Sequence, residues 1–148
     1  MSHNWRFLNT GSYSGAMNMA LDDVLLKGVH EGGNPVVRFY SWEPPAISFG
    51  YAQDPYSEVD VDRCLEMGID LVRRPTGGRA VLHWAELTYS VVAPLDNSVI
   101  WGQRIHEAYR VIGHCLVKGL KKYGIDAELE KGQIDVERRP KGKTAIPC

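Results

Sequence analysis

The 148-residue sequence predicts an α+β fold, a mixed sheet with flanking helices. Three observations predict it: strand-like and helix-like stretches alternate along the chain, one neighbouring pair of strand-like runs reads as antiparallel, and neither an internal repeat nor a linker divides the chain. At this length a single domain, residues 1–148, is expected, with enough chain to bury a core. The composition, 44% apolar and 24% charged, is that of an ordinary globular protein.

From Ser14 to Val29 the residues Met17, Leu21, Val24 and Leu25 recur at helical spacing, with Asp22 and Asp23 on the other side. "GGNP" stops that helix. "VVRFYSW" (36–42) and "AISFGY" (46–51) are rich in β-branched and aromatic residues and read as two strands joined by a tight "EPP" connection. Asp60 caps a short helix over 61–67 that Gly68 ends, and 70–74 reads as a strand. "AVLHW" and "ELTYSVVAP" are two strands or one long bent strand. Ile105, Tyr109, Ile112, Leu116, Leu120 and Tyr123 form a helical stripe closed by Gly124, and 127–129 could form a short strand before a polar, basic loop.

Seventeen Lys and Arg against eighteen Asp and Glu leave a net charge of −1, so nothing global points to nucleic acid or to an anionic membrane surface. No apolar run reaches the length that spans a bilayer, and "MSHNWRFLNT" lacks the regions of a signal peptide. Cys64, Cys115 and Cys148 are odd in number and widely spaced, which fits a reducing, cytoplasmic compartment and argues against a structural metal.

The most specific stretch is "RRPTGGRAVLHWAELTYS", from Arg73 to Ser90. Gly77 and Gly78 lack a Cβ, so the backbone there can take positive φ and present N–H groups to an anion. Arg73, Arg74 and Arg79 flank the pair, and a guanidinium fork suits a carboxylate or a phosphate. On a strand Arg73 and Arg74 point to opposite faces, so one lines the site of the turn while the other meets a carboxylate or solvent. The same residues equally describe a tight turn with three surface arginines. His83, in strand-like alternation, is by itself more readily a structural residue than a catalyst, since no local partner sets its tautomer.

"NMALDDVLL", "RFYSWEPPAISFGYAQD" and above all "RRPTGGRAVLHWAELTYS" resemble the lipoate-attachment family: lipoate-protein ligases and the cysteine-dependent octanoyltransferases, relatives of biotin protein ligase. The resemblance covers nearly the whole chain. It implies a fold like the catalytic core of biotin ligases and class II aminoacyl-tRNA synthetases, and an activity that places an acyl group on a lysine of a lipoyl carrier domain. Arg73, Arg74, Thr76, Gly77, Gly78 and His83 fall on its motif positions, and with Arg79 they are the expected substrate-binding residues.

Arg79 stands where ligases commonly carry a third glycine, so the motif looks more like the octanoyltransferases. In that branch a cysteine follows a polar loop after the long helix, and Cys148 is placed there as the expected nucleophile. Without the resemblance a single terminal thiol reads as incidental, and Cys64 and Cys115, on helical stretches, read as core residues. The implied donor is octanoyl-acyl carrier protein, and the acceptors are lipoyl domains such as glycine cleavage H protein or the E2 of a 2-oxoacid dehydrogenase. Octanoyl transfer needs no cofactor, whereas an ATP-dependent ligase would use ATP and magnesium. A non-catalytic module that binds acyl groups or lipoyl domains is the third reading.

Two features depart from the family pattern. Trp84 stands where an aspartate usually follows the motif histidine, and the chain ends at Cys148, before the further strands and the assisting lysine. The expectation is an incomplete, N-terminal part of the catalytic domain, with weak activity alone and an open sheet edge that favours self-association or a complementing chain.

Overall fold

The computed structural model describes residues 4–94 and 105–129. In chain order its elements are β1 (Arg6–Tyr13), α1 (Gly15–His30), β2 (Val36–Trp42), β3 (Ala46–Phe49), α2 (Pro55–Glu58), α3 (Val61–Glu66), β4 (Asp70–Arg73), β5 (Val81–His83), β6 (Thr88–Val92) and α4 (Ile105–Lys122). They fall into two compact units. The first holds both sheets, within residues 4–93, and the second holds α4 and the segment after it.

The first unit contains two three-stranded mixed sheets, ordered β1-β2-β6 and β4-β3-β5. In one, β1 runs parallel and β6 antiparallel to β2; in the other, β4 runs parallel and β5 antiparallel to β3. The α+β expectation, mixed sheets with flanking helices, is met. The pairing of the 36–42 and 46–51 runs is different, because β2 and β3 belong to different sheets. Pro44 and Pro45 offer no N–H to a ladder, and the chain turns out of the first sheet there, through a cis Glu43–Pro44 bond, and enters the second. The strand β1 and the single turn α2 were not anticipated from the sequence. The segments 81–83 and 88–92 do form two strands, one in each sheet.

Helix α1 begins where Ser14 accepts a hydrogen bond from the Met17 N–H, at 3.3 Å, which satisfies one of the free amides of the first turn. Its inward face keeps only part of the apolar stripe read from spacing: Leu21 and Leu25 are half-buried and Met17 and Val24 exposed, while Gly15, Asn18, Met19 and Val29 are buried. Asp22 also faces the sheet. The cause is Arg38 in the middle of β2, fully buried beneath the helix. Its guanidinium reaches Asp22 Oδ1 at 2.8 Å, Asn18 Oδ1 at 2.6 Å and Thr10 Oγ1 at 3.0 Å, and lies over the Tyr40 ring. A buried cation requires a polar lid, so the helix turns Asn18 and Asp22 inward. Asp22 further accepts from the Tyr40 and Ser90 hydroxyls. Burial, and then the Asp22 carboxylate, push the Tyr40 phenol well above the ordinary tyrosine range.

Two apolar clusters complete this unit. Ile47, Phe49, Val59, Cys64 and Ile69 pack one face of the second sheet under α3, whose N-cap Asp60 accepts from the Arg63 N–H. Met19, Tyr40, Trp42 and Ala46, with Val72, join α1 to the corner between the sheets. On the far face of the first sheet Phe7, Phe39 and Tyr89 form a row with centroids 5.7 and 6.5 Å apart, and Phe7 stays 66% exposed.

In the second unit α4 carries the expected stripe, yet Ile105, Tyr109, Leu120 and Tyr123 on it are exposed. Gly124 follows its end with φ +79°. Residues 127–129 form no strand. Leu129 instead lies over Gly113, where an added Cβ would come within 2.7 Å of Leu129 Cδ1, so the missing side chain makes the room that Leu129 fills. Cys64 is buried as expected, whereas Cys115 is exposed and not a core residue. Among the described residues no helix is long and apolar enough to cross a membrane.

Candidate active site

The turn from Arg73 to Arg79 is built on the end of β3. The Arg74 N–H donates to the Phe49 carbonyl at 2.9 Å and the Tyr51 N–H to the Thr76 carbonyl at 3.0 Å, which fold the segment back onto Gly50. The approach is so close that a Cβ on Gly50 would stand 2.1 Å from the Gly78 carbonyl oxygen. Gly78 has φ +100°, a conformation natural only to glycine. Gly77 differs: an added Cβ there meets nothing within 4 Å. The two glycines therefore divide their work, Gly78 closing the turn against Gly50 and Gly77 leaving free space where a side chain would stand.

Both leading arginines hold this loop. Arg73 Nη1 donates to the carbonyls of Gly50, Tyr51 and Gln53, at 3.0, 2.8 and 2.7 Å. Arg74 Nη1 donates to the Ser48 carbonyl at 2.8 Å and to its hydroxyl at 3.1 Å, and Nη2 to the carbonyls of Gly77 and Arg79 at 2.9 and 2.7 Å. Of the two, Arg74 holds the turn itself, as expected of one of them, while Arg73 is exposed to solvent and also caps the carbonyls of the 50–53 segment; neither meets a carboxylate among the described residues. The side chain of Arg79 is exposed, as is Thr76.

His83 ends β5 and is buried, at 7% exposure. Its Nε2 lies 2.8 Å from Ser48 Oγ and its Nδ1 2.6 Å from Glu86 Oε1, and the ring stacks on Trp42 at 4.1 Å between centroids and 11° between planes. Thr88 Oγ1 donates to the same Glu86 oxygen at 2.8 Å and accepts from Trp42 Nε1 at 2.7 Å. Burial pushes the Glu86 carboxyl up, but the hydrogen bonds from His83 and Thr88 outweigh it, so the carboxyl is held below its ordinary range. The carboxylate sought beside His83 thus exists, three residues on rather than adjacent. Ala85, at φ +48°, lies in the turn that brings it back.

An open cleft of about 490 Å³ lies on the Trp42 side of this group, lined by Ser12, Ser41, Trp42, Glu43, Pro45, Trp84, Ala85 and Glu86. None of Arg73 to Arg79 lines it. The structure therefore brings Arg73, Arg74, Thr76, Gly77, Gly78 and Arg79 into one turn and ties His83 to it through Ser48. Cys148 lies outside the described residues. Ser48, Trp42, Glu86, Thr88 and Gly50 were missed in the sequence. Glu86 had a signal, a carboxylate three residues after the histidine across a turn, while the partners Ser48 and Trp42 come from other strands.

The model of the lipoyl protein ligase A/B catalytic domain matches residues 14–141. The chain belongs to that family. Octanoyltransferase LipM of Clostridioides difficile is 47% identical over 133 residues, covering 88% of this chain and 49% of the relative. A crystal structure of lipoate-protein ligase A bound with ATP matches with a TM-score of 0.70 and 31% identity, over 88% of this chain and 52% of that one. A bi-partite lipoate protein ligase of Thermoplasma acidophilum, solved in work on that ligase and its E2 lipoyl domain, matches with a TM-score of 0.65 and 28% identity, over 88% and 49%. The chain spans about half the length of the curated relatives it matches. In this lipoyl ligase family member, the Arg73–Arg79 turn and the buried His83 are the described parts that match the motif expected of the family.

Proposed function

We propose that this chain carries the N-terminal share of an octanoyltransferase of protein lipoylation, working through Cys148. The observation that carries the reading is the 47% identity to an octanoyltransferase over 88% of the chain. The free space beside Gly77 gives an acyl group room at the turn, and the exposed Arg79 gives a donor for its carbonyl or carboxyl. Arg73, Arg74, Gly78 and His83 act by holding that turn, and Thr76 and Gly77 by facing the ligand. Both compact units belong to one catalytic domain on this reading, because the family match runs from 14 to 141 through both.

In the first half-reaction the Cys148 thiolate attacks the thioester carbonyl of octanoyl-acyl carrier protein, forming an octanoyl-Cys148 thioester and releasing the carrier thiol. In the second, the amine of a lipoyl-domain lysine attacks that thioester, forming the amide and returning the Cys148 thiol. H protein and E2 lipoyl domains are the acceptor class, and no cofactor is required.

Intact-protein mass spectrometry before and after incubation with octanoyl-acyl carrier protein tests this. A hydroxylamine-labile octanoyl adduct at Cys148, lost in Cys148→Ser, is expected; unchanged transfer in the serine variant would eliminate the covalent route.

The ATP-bound ligase among the structural neighbours favours a second reading, an ATP-dependent lipoate ligase. Among the described residues no group of three or more His, Cys, Asp or Glu could hold a metal ion, so magnesium would be carried by the nucleotide phosphates. Lipoate-dependent pyrophosphate release that survives Cys148→Ser selects this reading. Affinity for octanoate or a lipoyl domain without turnover selects a binding module instead.

A further inference from the structure

We propose that Glu86 is a positioning residue whose carboxylate fixes His83 as the Nδ1-protonated tautomer and thereby, through Ser48 and Arg74, sets the conformation of the Arg73–Arg79 turn. An ionised carboxylate only accepts, so the 2.6 Å contact obliges His83 Nδ1 to donate. In a neutral imidazole Nε2 is then an acceptor, and the Ser48 hydroxyl, at 2.8 Å, is the donor that meets it among the described residues. With its proton committed to Nε2, Ser48 Oγ presents lone pairs outward, and Arg74 Nη1 donates to it at 3.1 Å. The other terminal nitrogen of Arg74 holds the carbonyls of Gly77 and Arg79. From Arg74 Nη1 through the Ser48 hydroxyl to His83 each group donates toward Glu86, and Glu86 sets that direction; Arg74 Nη2 donates the other way, to the turn.

Reversing the tautomer would break this order. An Nε2–H would donate to Ser48 Oγ, so the serine hydrogen would leave Nε2 and one lone pair instead of two would remain for Arg74 Nη1. Glu86 is itself held: Thr88 donates to it while accepting from Trp42 Nε1, and Trp42 stacks on the His83 ring. The importance of the turn to catalysis rests on the acyl-transfer reading; the tautomer does not.

Long-range proton–nitrogen NMR on the full ¹⁵N-labelled chain at neutral pH reads the His83 tautomer in the wild type, Glu86→Gln and Glu86→Leu. Hydrogen exchange of the Tyr51 amide, which bonds the Thr76 carbonyl, reads the turn. The wild type and the Gln variant, which keeps an acceptor, should both show Nδ1–H. The Leu variant should lose that preference and exchange its Tyr51 amide about tenfold faster, the scale of a lost charge-assisted hydrogen bond. An Nε2–H tautomer in the wild type, or wild-type tautomer and exchange in the Leu variant, overturns the proposal. Should Glu86→Leu not fold, Ser48→Ala decides: it should keep Nδ1–H while speeding Tyr51 exchange, and a changed tautomer there overturns the assignment to Glu86. A wild type with the expected tautomer that forms no octanoyl adduct supports the positioning role and removes the acyl-transfer reading instead.

Discussion

Gly50 and Gly78 meet backbone to backbone, so closely that a Cβ on Gly50 would stand 2.1 Å from the Gly78 carbonyl oxygen. Through this contact the end of β3 supports the turn that the family motif marks. Backbone cannot move aside as a flexible side chain can, so Gly50→Ala should destabilise the chain by about 1–3 kcal/mol and displace the turn. Denaturant melts measure the first effect, and Tyr51 amide exchange the second. A variant with unchanged melting would show that the turn can be re-seated freely.

Gly77 offers the complementary test. A methyl group there meets nothing within 4 Å, so Gly77→Ala should leave stability within about 1 kcal/mol of the wild type. If the free space at Gly77 faces the acyl group, octanoylation of Cys148 should nonetheless slow by about tenfold or more. Equal rates of adduct formation would remove Gly77 from the ligand site.

Arg38 should be the costliest polar residue of the first unit to truncate. It is fully buried, and Arg38→Ala strips Asp22 of its counter-charge and leaves Asn18 Oδ1 without its donor. A loss of about 3–5 kcal/mol is expected. Arg38→Met together with Asp22→Leu should recover part of it, because both buried charges then disappear. Stability no lower than that of a surface Arg→Ala control would refute the account.

Acid should reveal Glu86. Its carboxyl titrates below its ordinary range in the folded chain, so the folded state binds fewer protons there than the unfolded state as pH falls. Its contribution is complete above the unfolded value of about 4.3 and is lost as pH drops through the lower folded value. The stability gap between the wild type and Glu86→Gln should therefore hold above about pH 5 and narrow as pH falls below about 4.3. A gap that stays constant as pH falls would mean that the charge of Glu86 carries none of it.

The aromatic row Phe7, Phe39 and Tyr89 on the far face of the first sheet bears on association. Phe7 is 66% and Tyr89 42% exposed, on a sheet in which, among the described residues, β1 pairs with β2 alone. Self-association should follow, seen in sedimentation velocity at micromolar concentration and weakened by Phe7→Lys. A monomer at those concentrations would refute it.

What the sequence determined by itself is local or tied to a compact motif. The helix capped by Ser14, the β2 strand with its two-residue period, the helix after Asp60 and the α4 helix ending before Gly124 are written in neighbouring residues, because caps, periodicity and glycine conformations act over one or two turns. The motif from Arg73 to His83 carried the family for the same reason, as did the single stretch that holds its glycines and arginines.

Only the tertiary structure decided how those pieces are used. Met17 and Val24 have helical spacing but face outward, because Arg38, sixteen residues beyond Asp22, demands polar company beneath the helix. Arg73 and Arg74 look like free anion binders in the sequence, yet their partners are backbone carbonyls of two loops that the fold brings together. His83 has no tautomer until Ser48, thirty-five residues away, and Glu86 close around it. In each case a polar group's role depends on which partner desolvates with it, and that choice is made by strands and helices brought together from distant parts of the chain.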